Sequence, residues 1–106
     1  MLIEIKTLAE LKELFKSDKF IVVDFYAEWC GPCLRAMPKV AALSEKYPNV
    51  GFYKINYDTP ELKIAIKEVF KVTSLPTFCF FKNTKYISRV EGADEQVIEE
   101  MISKYA

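Results

Sequence analysis

Between Phe20 and Ala27 the chain reads Phe-Ile-Val-Val-Asp-Phe-Tyr-Ala, with Asp24 the one residue that is not apolar. A strand with no polar side must be buried on both faces, which places it in the middle of a sheet covered above and below. If its neighbours run parallel to it, crossover helices must connect them. Glu28 and then Trp29-Cys30-Gly31-Pro32-Cys33 follow directly, and the segment from Cys33 to about Tyr47 has a helical pattern. The two cysteines therefore fall where a strand ends and a helix begins.

That setting favours redox chemistry. The first turn of a helix carries unpaired N–H groups and a partial positive charge, and both stabilise a thiolate. Pro32 suits the first turn, where a missing N–H costs nothing and φ is already helical. Cys30 is expected to be the exposed nucleophile of lowered pKa. Cys33, a turn further in, is expected to be less exposed and to resolve the mixed disulfide. A zinc site needs four ligands, and the chain has no histidine and one further cysteine, Cys79. No metal is expected. Without histidine the usual base of cysteine hydrolases is missing as well. Thiol–disulfide exchange and an inert structural disulfide remain.

With 106 residues the chain is expected to form a single domain over 1–106, large enough to bury a core without a disulfide. Fifteen basic and fifteen acidic residues give no net charge, so nothing points to nucleic acid or an anionic membrane. The sequence shows no secretory signal, retention motif or membrane-length apolar run, and a cytoplasmic location is expected. In that compartment a disulfide is usually transient and catalytic.

The remaining chain supplies the other elements. Residues Met1 to Lys6 alternate as a first strand, and Thr7-Leu8-Ala9-Glu10 is a capping box opening a helix with Leu8, Leu11, Leu14 and Phe15 on one face. Pro38 is expected to kink the second helix. A strand over about Val50 to Asn56 precedes Asp58-Thr59-Pro60-Glu61, which reads as the cap of a third helix carrying Leu62, Ile64, Ala65, Ile66, Val69 and Phe70. Strands at Thr77 to Phe81 and Tyr86 to Val90 form a hairpin, and Asp94 caps a last helix with Val97, Ile98, Met101 and Ile102 inward. The order βαβαβαββα predicts an α/β fold, a mixed five-stranded sheet flanked by four helices.

Four motifs in order, Asp24 to Cys33, Lys54-Ile55-Asn56-Tyr57-Asp58, Ser74-Leu75-Pro76-Thr77-Phe78 and Glu91-Gly92-Ala93, resemble the thioredoxin family over the full length. The resemblance implies the thioredoxin fold and a protein disulfide reductase. Cys30 would attack a client disulfide and Cys33 would release the reduced product. Asp24, a buried acid whose pKa desolvation should raise, would accept the proton of Cys33, with Lys54 tuning it. Pro76 matches the family's cis-proline, and Leu75 would pair its backbone with an extended client. Trp29, Gly31, Pro32, Tyr57, Leu75, Gly92 and Ala93 match the flat apolar rim on which clients and thioredoxin reductase dock. The resemblance further implies a monomer with no bound cofactor, whose working group is the Cys30–Cys33 disulfide.

Plainer roles stand beside these. Asp24 has a plainer reading as a hydrogen-bonded buried acid, Lys54 as a snorkelling surface lysine, and Trp29 and Tyr57 as packing aromatics. Cys79 reads as a small apolar filler. Thr84 stands where the family hairpin usually has glycine, which leaves Asn83 to supply the left-handed residue. An oxidant or isomerase, which usually carries histidine between its cysteines, and a non-catalytic binding subunit are the competing functions.

Overall fold

The computed structural model describes residues 1–106. Its sheet comprises β1 (Leu2–Glu4), β2 (Phe20–Tyr26), β3 (Gly51–Asn56), β4 (Thr77–Lys82) and β5 (Lys85–Glu91), in the spatial order β1-β3-β2-β4-β5. Every residue of β2 is buried, as its unbroken apolar run requires. β3 runs parallel to both β1 and β2, while β4 is antiparallel to β2 and to β5. This is the thioredoxin fold.

The alternation of β2 divides its side chains between two cores. Ile21, Val23 and Phe25 pack with Leu11, Leu14, Leu62, Ile66 and Phe70 on one face. Phe20 and Val22 pack with Val40, Leu43, Ile98 and Ile102 on the other. Helix α1 (Leu8–Leu14) thus covers the first face, and α2 (Gly31–Lys46) and α3 (Glu95–Tyr105) cover the second. Full burial of each large apolar side chain contributes about 1.5–3 kcal/mol. Leu8 and Val97 lie at the margins of their helical stripes and remain 42% and 39% exposed.

The capping box of α1 forms as expected, with Glu10 N–H donating to Thr7 Oγ1 at 3.1 Å and Thr7 N–H donating to Glu10 Oε1 at 3.0 Å. The third helical segment departs from expectation. It comprises a 3-10 turn at Pro60–Leu62 and a π turn at Ala65–Val69, closed by Phe70 N–H on Ala65 O at 3.0 Å. Thr59 makes no side-chain cap. Glu61 instead accepts the Leu8 N–H at 2.8 Å and so caps α1 from a distance. Leu62, Ile66 and Phe70, spaced four apart, are buried, whereas Ile64 and Val69 face outward at 77% and 70% exposure. The segment ends at Lys71 with φ +54°.

The hairpin joining β4 and β5 carries positive φ at both of its loop residues, +52° at Asn83 and +67° at Thr84. A two-residue loop matched to the strand twist needs the left-handed region twice, so Asn83 alone does not suffice. β5 also contains a bulge, because Phe80 pairs with Ser88 while Phe81 pairs with Tyr86.

Candidate active site

β2 ends at Tyr26, the chain turns through Ala27 to Trp29, and α2 begins at Gly31 with Cys30 as its N-cap. Cys30 has φ −95° and ψ 104°, and its Sγ accepts the backbone N–H of Cys33 at 3.2 Å. Pro32 occupies the first turn. The two cysteines are joined in a disulfide across Cα atoms 5.3 Å apart. The helix therefore starts two residues earlier than its periodicity suggested, with Cys30 as its N-cap and Cys33 in its first turn.

Burial differs between the two sulfurs in the expected direction but not to the expected degree. Cys33 is 1% exposed and Cys30 only 7%, so Cys30 is a covered group with one accessible edge. Tyr26 and Ala27 pack beneath the pair, with Met37, Tyr57 and Leu75 at its sides. That accessible edge opens on a groove of about 400 Å³ lined by Trp29, Gly31, Pro32, Tyr57 and Leu75. Ala93 lies apart from these, lining an adjoining depression with Pro32, Arg35, Ala36 and Lys39. The Leu75–Pro76 peptide bond is cis. Gly92, at φ +104°, reaches the same loop by donating its N–H to Pro76 O at 2.8 Å.

Asp24 is 1% exposed, and its Oδ1 has no hydrogen-bond partner. None of the protein's own groups bonds this oxygen. Burial pushes its pKa up to about 7, while the charge of Lys54, opposite it in the β2–β3 register, pulls the other way. The Lys54 ammonium lies 5.5 Å from the centroid of the Tyr26 ring. The Tyr26 hydroxyl donates to Glu4 Oε2 at 2.9 Å, and burial raises its pKa. Cys79 is fully buried on the opposite face of the sheet, with its thiol pushed up to about 11 by burial, and acts as apolar filling.

Three site residues escaped the sequence reading. Asp58, read there as part of a helix cap, accepts the Trp29 indole N–H at 2.7 Å and fixes a side chain that is 69% exposed. Thr73 and Ser74 line the groove beside Leu75. Asp58 and Ser74 stood in the matched motifs without a role of their own, and only its proximity to Leu75 hinted at Thr73. No group of three or more histidine, cysteine, aspartate or glutamate side chains is gathered in a way that could hold a metal ion.

The sequence profile described as Thioredoxin matches residues 3–104. The chain belongs to the thioredoxin family. It is 40% identical to Thioredoxin-1 of Saccharomyces cerevisiae over 107 aligned positions, which take in all of both chains. Among solved structures it superposes on Fasciola hepatica thioredoxin with a TM-score of 0.88 at 40% identity, covering 98% of this chain and 99% of that one. It also matches, with a TM-score of 0.87 at 32% identity and 97% and 94% coverage, a chain from a structure of the thiol-resolving mechanism of yeast mitochondrial 1-Cys peroxiredoxin via glutathione/thioredoxin systems. This member of the family is accordingly a protein disulfide oxidoreductase working by dithiol–disulfide exchange on disulfide-containing clients. No helix of the structure is long and apolar enough to cross a membrane.

Proposed function

We propose that this thioredoxin carries electrons from a thioredoxin reductase to client disulfides, with Cys30 as nucleophile and Cys33 as resolving thiol. The carrying observation is the placement of Cys30 at the N-cap and Cys33 in the first turn of α2, with the more exposed sulfur opening on the groove. In the reduced protein the Cys30 thiolate attacks one sulfur of a client disulfide. The Cys30–client bond forms, and the other client sulfur leaves as a thiolate. Cys33, deprotonated, then attacks Cys30 Sγ, the Cys30–Cys33 bond forms and the second client sulfur leaves. Two electrons pass from the dithiol to the client, whose thiolates take up two protons.

Asp24 is the proton acceptor for Cys33, directly or through water. A carboxyl whose pKa burial has brought to about 7 exchanges protons at neutral pH, which an ordinary aspartate does not. Lys54 keeps that value from rising further. Trp29, Gly31, Pro32, Tyr57, Leu75 and Pro76 form the surface on which the client lies, with Gly92 and Ala93 extending it. Flat apolar contact combined with backbone pairing tolerates many client sequences. The protein acts as a cytoplasmic monomer without a bound cofactor, in a compartment where catalytic disulfides are kept turning over by reduction. A peroxiredoxin disulfide is a suitable first client to assay.

The deciding measurement is the reduction potential of the Cys30–Cys33 couple in defined dithiothreitol or glutathione buffers. We expect a value close to about −270 mV, the reference value for thioredoxin. A value of about −180 mV or higher would make the protein an isomerase or oxidant and overturn the carrier role.

A further inference from the structure

The wall of the groove opposite the cysteines is the stretch Thr73–Leu75, and its backbone N–H groups make no backbone hydrogen bond. Its position is therefore set by how its flanks are held. At the far end, the N–H of Gly92, just past the end of β5, donates to Pro76 O at 2.8 Å. Within the stretch, Thr77 Oγ1 donates to Ser74 O at 2.6 Å. At the near end the chain leaves the π turn through Lys71, in the left-handed region at φ +54°. A non-glycine residue holds that conformation only where its surroundings impose it.

Arg89 imposes it. Its Nη2 donates to Phe70 O at 2.6 Å and its Nη1 to Lys71 O at 3.3 Å, satisfying carbonyls that the end of the helical segment leaves without partners. Its Nε donates to the Tyr86 hydroxyl at 3.0 Å, and the guanidinium carbon lies 5.5 Å from the Tyr86 ring centroid. Tyr86 in turn packs edge-on against Phe81 with ring centroids 5.8 Å apart. A planar fork held on one side and donating twice on the other is a function arginine performs and lysine does not. Arg89 lies in β5 and Gly92 follows directly on its last residue, so one continuous segment holds both ends of the loop from Lys71 to Pro76.

We propose that Arg89 is a positioning residue for client binding, holding the Lys71–Pro76 loop so that the Leu75 backbone stands ready beside the disulfide. The proposal rests on the reading of Leu75 as the edge that pairs with the client. A loop fixed before the client arrives spares the complex the entropy of ordering it, so loosening the loop weakens binding without altering the sulfur chemistry.

The test uses Arg89→Gln, Arg89→Lys and, as a direct perturbation of the loop interior, Thr77→Val. For each, kcat and KM are measured with oxidised insulin as client, along with the rate at which iodoacetamide alkylates Cys30 in the reduced protein. Assays are run well below each variant's measured Tm. The expected result is a KM raised about tenfold in Arg89→Gln and by less in Arg89→Lys, with kcat and the alkylation rate unchanged and KM raised in Thr77→Val as well. If KM rises only in Thr77→Val and Arg89→Gln merely lowers Tm, Arg89 is structural and the proposal falls. If KM is unmoved in both, the Leu75 edge does not bind the client and the underlying reading falls with it. A changed alkylation rate in Arg89→Gln would place its effect at the cysteine and also overturn the proposal.

Discussion

Asp24 is the residue at which function opposes stability. Its pKa of about 7 in the folded protein lies above the ordinary aspartate value, so the fold favours the protonated form and resists the charged one. The stabilisation tied to that proton is complete below about pH 4 and is lost as pH rises through about 7. Over that window the wild type should lose roughly 4 kcal/mol of stability, taking about 1.4 kcal/mol for each pH unit. Asp24→Asn should remove this slope and be the more stable protein at about pH 8, while turning over more slowly. Urea unfolding at pH 5 and pH 8 checks the first expectation, and turnover across about pH 6 to 9 checks the second. Unchanged turnover would remove Asp24 from the mechanism. The presence of this acid was legible because it interrupts an apolar run. That none of the protein's own groups bonds its Oδ1 was not, since hydrogen bonding at a buried oxygen depends on what neighbouring elements bring to it.

At the scale of elements, the sequence carried its information wherever signals were local. The Thr7–Glu10 capping box, the Asp94 cap, which accepts from Gln96 and Val97 N–H, and the unbroken β2 run each formed as expected. The third helical segment resisted because its cap residues serve distant partners, Glu61 the start of α1 and Asp58 the Trp29 indole. Arg89 was equally silent, one polar residue in an edge strand whose partners lie 18 and 19 residues away. The hairpin offers a test. Thr84 is β-branched and held at φ +67°, a conformation that costs such a residue about 1–3 kcal/mol. Thr84→Gly should raise stability by about 1 kcal/mol in denaturant unfolding, with activity unchanged.

For the molecule as a whole, stability resides in the two cores and not in the disulfide. Cys30 and Cys33 are three residues apart, so their bond closes a very short loop and removes little freedom from the unfolded chain. The reduced protein should remain folded and be less stable than the oxidised form by no more than about 2 kcal/mol, measurable as paired Tm values with and without dithiothreitol. Phe25, fully buried, should behave otherwise: Phe25→Ala should cost about 3–5 kcal/mol in either redox state. Such independence lets the sulfurs cycle without the fold following them. The outer strands add a different kind of protection. β1 has only three residues, and β5 is bulged at Ile87 and carries Lys85 and Arg89. Neither edge offers a long, flat ladder for a passing strand to extend, so a protein whose work brings it against extended chains is itself a poor template for aggregation.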